Sequence, residues 1–320
     1  MARISPRHLR APDPRPPRRR LPRLLALVGS LVLLATVGVP LQRATALRQS
    51  QAVWSVKCNH SHSAPDDPIV FPAQAGRSHL HDFFGNVSVD ANSTTASLAR
   101  AASTCLKGMD EVDKAAYWTP ALLHNGRPVT GSPDELRIDA YYAVLDKPLP
   151  VRSMPVGLRM VAGSSQARTA QPDDIVRYNC LYYPRGGQAT GKSAAIPNCP
   201  PGTYLSAKIQ FPSCWDGVNL DSLDHKSHMA YPNRQQCPVT HPVGLPALAI
   251  RLRWKTARGI PSSQLALSSG GQHSMHADFW NLWSPSVMRW LVDNCLNATR
   301  NCTDIARSQI PVATGSFTNG

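Results

Sequence analysis

The chain has 320 residues, a formal net charge of +14, 42% hydrophobic residues and eight cysteines. Much of that charge is local: residues 1–23 hold eight arginines and one acid, and from Leu47 onward 25 Lys+Arg face 19 Asp+Glu, a net +6. No dense basic stripe with aromatic platforms remains after that, which argues against nucleic-acid binding.

An apolar run, 24–41, follows the basic start, and Ala44-Thr45-Ala46 supplies small residues for cleavage. This order is that of an export signal over residues 1–46. The run approaches the ~20 residues that span a bilayer, so an uncleaved N-terminal membrane anchor through 24–41 is the alternative. All eight cysteines lie beyond it. An even cysteine count in an exported chain predicts disulfides, with Cys180–Cys199 and Cys295–Cys302 favoured by their short separations. No C-x-x-C spacing suggests a structural zinc site instead.

Residues 47–320 are long enough for one extracytoplasmic domain, with a core of about 53–302. A short helix is predicted over 94–102, then strands over 137–144, 156–161, 204–211, 247–254 and 264–268. The clearest is 247–254, where Leu248, Ile250, Leu252 and Trp254 alternate with Ala249, Arg251 and Arg253. Arg251, Arg253, Lys255 and Arg258 form the richest basic cluster, suited to the wet face of a strand; a mildly basic exported protein would favour anionic cell-wall polymers. Ser284-Pro285 begins a second helix, with serine as cap and proline in the first turn, running towards Cys295. Frequent proline and glycine limit long helices. The predicted fold is mainly β, sandwich-like or jelly-roll-like, with a few short helices and long disulfide-linked loops.

Residues 186–193, Gly-Gly-Gln-Ala-Thr-Gly-Lys-Ser, match the phosphate-loop pattern. The context is wrong: Tyr182-Tyr183-Pro184 precedes it and Pro197 stops any following helix. It is read as a loop.

Three segments carry the candidate chemistry: His79-x-His81, Asp224-His225-x-x-His228 and His276-x-Asp278. In an extended strand, residues two apart share a face, so His79 and His81 would present two imidazoles together, while His276 and Asp278 sit between a Gly270-Gly271 turn and an aromatic segment. On a helical turn His225 and His228 would also share a face. Asp82 is placed to orient one of the first pair. The catalytic candidates are therefore His79, His81, His225, His228, His276 and Asp278. Of these His79, His81, His228, His276 and Asp278 form the ligand set for a divalent transition metal, zinc or copper. No Gly-x-Ser-x-Gly elbow supports a serine esterase.

Several blocks in order resemble the DUF1996 domain family. They are Asp67-Pro68-Ile69-Val70, Ser78-His79-Leu80-His81-Asp82-Phe83-Phe84-Gly85, Tyr117-Trp118-Thr119-Pro120, Gly157-Leu158-Arg159-Met160, Phe211-Pro212-Ser213-Cys214-Trp215-Asp216-Gly217, His225-Lys226-Ser227-His228 and His276-Ala277-Asp278-Phe279. That family comprises largely secreted fungal and bacterial proteins of no established general activity, some of them beside carbohydrate-binding modules. The resemblance implies a secreted protein directed at cell-wall or extracellular polysaccharide. Hydrolysis or lysis at a His/Asp site, with or without a bound metal, is the expectation. The alternative is a non-catalytic carbohydrate- or wall-binding module, in which the seven tryptophans and eight tyrosines would provide stacking surfaces.

Overall fold

The computed structural model describes residues 52–132, 135–144, 150–184, 186–234, 236–303 and 305–312. The leader and the apolar run 24–41 lie outside them. Among the described residues no helix is long and apolar enough to cross a membrane. The described residues form one compact unit.

The fold is mostly β. Its strands in chain order are β1 (Val53–Ala64), β2 (His81–Gly85), β3 (Ala116–Pro120), β4 (Leu122–His124), β5 (Arg127–Pro128), β6 (Leu136–Ala143), β7 (Arg159–Gly163) and β8 (Val176–Tyr182). Then come β9 (Thr203–Gln210), β10 (Cys214–Trp215), β11 (Met229–Ala230), β12 (Val243–Gly244), β13 (Ala247–Trp254), β14 (Leu265–Leu267), β15 (His276–Trp280) and β16 (Asn301–Cys302). Nine of them form a curled antiparallel sheet in the order β7-β15-β3-β2-β1-β6-β13-β9-β8, with β16 parallel to β1. The curl brings edge strand β7 against β9, so the two ends of one sheet enclose the core much as two layers of a sandwich do.

Alternation decides which side chains enter that core. On β1, Trp54, Val56 and Cys58 are buried, and on β13 Leu248, Ile250, Leu252 and Trp254 are. Trp54 stacks on Tyr142 of β6 with ring centroids 4.8 Å apart, and Trp283 meets both rings edge-on. The Trp283 indole N–H donates to the Tyr142 hydroxyl at 2.9 Å, while the buried Trp54 indole N–H has no partner.

A smaller second cluster lies on the other face of β2, β3 and β15, built from Ile69, Phe83, Val89, Leu98, Ala116, Trp118, Trp280 and Leu282. These three strands are therefore buried on both faces. Leu98 comes from helix α1 (Thr95–Ala99), whose N-cap Thr94 and Ser97 form a reciprocal capping box. Helix α2 (Pro285–Leu291) starts where expected and passes into a π-turn, Val292–Leu296. The expected serine cap is absent: the Ser284 hydroxyl contacts Ser286 at 3.2 Å and makes no cap bond.

Four disulfides close the loops: Cys58–Cys105, Cys180–Cys199, Cys214–Cys237 and Cys295–Cys302. The two pairs expected from short spacing are both formed, and the four bridges fit an oxidising compartment. The phosphate-loop match is a loop: Ser193 bridges Tyr178, and Lys192 pairs with Asp173 at 3.2 Å.

Candidate metal centre

The second layer carries the polar cluster. On β15, His276, Asp278 and Trp280 share one face and Ala277 and Phe279 the other, as alternation requires. Antiparallel pairing sets β15 beside β3, and β3 beside β2, whose first residue is His81. His79 lies just before β2, yet its ring centroid is 4.2 Å from that of His81. The result is that the Nε2 atoms of His79 and His81 stand 3.2 Å and 3.3 Å from Nε2 of His276.

The outer ring nitrogens fix the tautomers. His81 Nδ1 lies 2.9 Å from the Asp66 carbonyl, and His276 Nδ1 lies 2.9 Å from the Ser274 carbonyl. A carbonyl only accepts, so both Nδ1 atoms carry hydrogen and both Nε2 atoms present lone pairs. His79 can donate one N–H towards His276. The 3.3 Å contact between His81 and His276 is still a meeting of two acceptors. Charging a ring would relieve it, but burial opposes that: the pKa of His79 is pushed down to about 4 and that of His276 to about 3, each chiefly by desolvation. His81 is held well below the ordinary imidazole range by burial first, then by its two neighbours.

Two carboxylates adjoin the imidazoles. Asp278 Oδ2 is 4.0 Å from His276 Nε2, and neither Asp278 oxygen has a hydrogen-bond partner although the residue is fully buried. Burial, and secondarily Asp67, holds its pKa well above the carboxylate norm. Asp67 Oδ1 accepts from the Ile69 and Val70 amides at 3.0 Å, and burial raises this group to about 6. Ligand atoms of His79, His81 and His276 all lie within 4.8 Å of one another, as do those of Asp67, His81 and Asp278. His81 belongs to both groups.

Such a donor set could hold a transition-metal ion. Three imidazole nitrogens, two of them held from the far side of the ring by main-chain carbonyls, match the arrangement that orients histidine ligands. A buried carboxylate with no partner adds the negative charge a dication needs. His79 is only half-buried and lines a cavity of about 360 Å³, together with Asp67, Arg77, Gln166, Lys226 and His276. That is the small end of the range for ligand pockets, about 300–1,000 Å³. Three nitrogen ligands beside an open cavity leave a position for water or substrate, as catalytic zinc sites do.

The structure brings together His79, His81, His276 and Asp278 and sets His225 on the wall of the same cavity. His225 Nδ1 lies 3.1 Å from both Asp221 oxygens, and Asp221 also pairs with Arg159 at 2.9 Å. His228 stands apart from the cluster. Its Nδ1 meets the Ser222 hydroxyl at 2.9 Å and its Nε2 donates to the Arg159 carbonyl at 2.6 Å, so both nitrogens are occupied. The segment is a turn and not a helix, with His225 at φ 58° and Asp224 accepting from the Lys226 and Ser227 amides. Those bonds hold the exposed Asp224 carboxyl far below its usual range. Asp82 points to the opposite sheet face from His81, where it accepts from Ser63 at 2.7 Å and faces His60 at 3.6 Å, and it orients neither candidate imidazole. Asp67, Arg77 and Lys226 are site residues that the sequence patterns do not single out. Asp67 and Lys226 had one signal, their places in blocks of family resemblance.

The geometry defines a mainly β, disulfide-linked protein with a buried histidine–carboxylate centre. The family described as Domain of unknown function (DUF1996) matches residues 67–283, and the chain belongs to that family. Every residue of the centre lies within the matched span. Neither the curated proteins nor the solved structures provide a match to the chain.

Proposed function

We propose that this chain is an exported, metal-dependent enzyme that cleaves cell-wall or extracellular polysaccharide by hydrolysis or lysis. One observation carries the reading: three imidazole nitrogens converge beside an unpartnered, buried carboxylate. His79, His81 and His276 would hold zinc or copper, and Asp278 would supply the compensating charge. A bound ion of this kind acidifies water and polarises an acetal or uronate group. His225, oriented through Nδ1 by Asp221 on the cavity wall, would transfer the proton. The leader and the disulfides support export, and the occurrence of some fungal members of the family beside carbohydrate-binding modules supports the substrate class.

A non-catalytic sugar-binding module is less well supported. Trp54, Trp118, Trp254, Trp280 and Trp283 are all fully buried, so of the tryptophans only Trp215 and Trp290 are partly open for stacking, beside the exposed rings of Tyr182, Tyr183 and Tyr231. The test is an assay of the purified protein, with zinc or copper, against a panel of polysaccharides, reading new reducing ends and unsaturated ends. Cleavage that chelator abolishes and metal restores, and that His81→Ala loses with the fold intact, supports the proposal. Polysaccharide binding with no cleavage, or cleavage indifferent to chelator, refutes it.

A further inference from the structure

The outer face of the other half of the sheet has a charge pattern that the histidine centre does not use. Strands β1, β6, β13, β9 and β8 contain six cations, Lys57, Arg137, Arg251, Arg253, Lys208 and Arg177, and one acid, Asp139. Each cation alternates with residues buried in the core, so all six lie on the outer face. Register places Lys57 opposite Asp139, Asp139 opposite Arg251, Arg251 opposite Lys208 and Lys208 opposite Arg177. That is one row across five strands, about 19 Å long at the usual strand spacing.

The single carboxylate is already committed. Asp139 pairs with Arg253 and lies 3.8 Å from Arg137. Among the described residues no carboxylate pairs with Lys57, Arg177, Lys208 or Arg251. Like charges directly opposite on paired strands are destabilising, and here two such pairs adjoin, Arg251–Lys208 and Lys208–Arg177. Burial and the fields of Arg177, Arg251 and Lys192 push the Lys208 ammonium down to about 8. A half-buried row of cations without counter-charges costs stability, and an external polyanion would offset that cost.

We propose that this face binds an acidic polysaccharide chain, laid along the row from Lys57 to Arg177. The row supplies three adjacent cations, Arg251, Lys208 and Arg177, with Lys57 beyond the neutralised Asp139, for repeated carboxylates. Asn59 and Asn179, in the neighbouring row, supply amides for hydroxyl groups. Tyr141 lies 5.7 Å below the Arg251 guanidinium, and Tyr204, whose hydroxyl meets Arg253 at 3.1 Å, pairs edge-on with Tyr183. These separate rings do not form the succession of stacking platforms that single-stranded nucleic acid needs. The inference is independent of the metal centre and of any cleavage there.

The test is titration calorimetry of the whole protein with polygalacturonate, neutral dextran and a single-stranded DNA of similar length. The expected result is binding of polygalacturonate that weakens steeply with salt and no binding of dextran. Lys208→Gln/Arg251→Gln should weaken polygalacturonate at least tenfold while keeping or raising Tm, because like-charge repulsion has been relieved. Arg177→Gln should do the same more mildly. Absence of polygalacturonate binding, binding unaffected by these cations, loss of binding only together with a fall in Tm, or tighter binding of the DNA would each overturn the proposal.

Discussion

His81 and His276 face each other through their Nε2 atoms at 3.3 Å, while each Nδ1 is engaged by a main-chain carbonyl. Neither ring can offer the other a hydrogen without breaking a carbonyl bond or taking a charge in a buried site. The contact is unfavourable for the protein alone and favourable around a cation.

Zinc should therefore stabilise the folded state, because an ion that binds only the folded protein adds RT ln(1 + [L]/Kd), about 2.7 kcal/mol at a hundredfold excess over Kd. Thermal unfolding with added zinc should show a rise in Tm that a chelator reverses. His276→Ala should abolish that rise. Changing a group that merely orients a metal ligand costs about 10–100-fold in affinity, so losing the ligand itself should cost at least that.

Asp278→Asn should separate stability from function. Without metal, Asp278 places a carboxyl with two unpartnered oxygens in the interior, and removing its ability to ionise should stabilise the metal-free protein at pH 7. The same change should weaken zinc binding and cleavage. A metal-free variant less stable than the parent would contradict this role for the residue.

Gly163 matters through its backbone. It pairs with His276 in the β7–β15 register at φ 74°, and a Cβ there would fall 2.7 Å from the Met275 carbonyl and 3.1 Å from the His276 Cα. Gly163→Ala should cost on the order of 1–3 kcal/mol in chemical denaturation. It should also lower zinc affinity, since the added atom presses on the strand that carries the ligand.

Asp113 gives a pH dependence away from the metal centre. It accepts from the Ala115 amide at 2.9 Å and from the Tyr117 hydroxyl at 3.0 Å, and Tyr117 meets Tyr142 at 2.7 Å. Burial raises Asp113 to about 7 in the folded protein. A raised carboxyl favours the fold while it is protonated in both states, below about pH 4, and that favour is lost as pH rises through about 7. Each tenfold difference in proton affinity between the folded and unfolded chain corresponds to about 1.4 kcal/mol. Asp113→Asn, which cannot ionise, should therefore match the parent near pH 4 and exceed it by a few kcal/mol above about pH 7.5. Denaturation midpoints measured across that range give the comparison directly.

How much of this is legible in the sequence follows from burial. Strand β13 shows alternation, and its expected and observed bounds coincide. Strands β2, β3 and β15 are covered on both faces and show no alternation, so period-two reasoning passes over them. They are nonetheless the strands that carry the centre. The pairing of His276 with Asp278 is readable because two-residue spacing holds on any strand, whatever its burial. His228 looks equivalent to its neighbours in sequence, but its partners, Ser222 and the Arg159 carbonyl, depend on a turn that spacing does not reveal. Asp67 enters the centre from a distant loop, through a contact that no local pattern encodes.

The most direct measurement is metal-edge X-ray absorption on protein loaded with one equivalent of zinc, compared with His276→Ala. The expected result is stoichiometric binding and a first coordination shell with three imidazole nitrogens, one fewer in the variant. Failure to retain one equivalent of zinc or copper, or a shell unchanged by loss of His276, would contradict it.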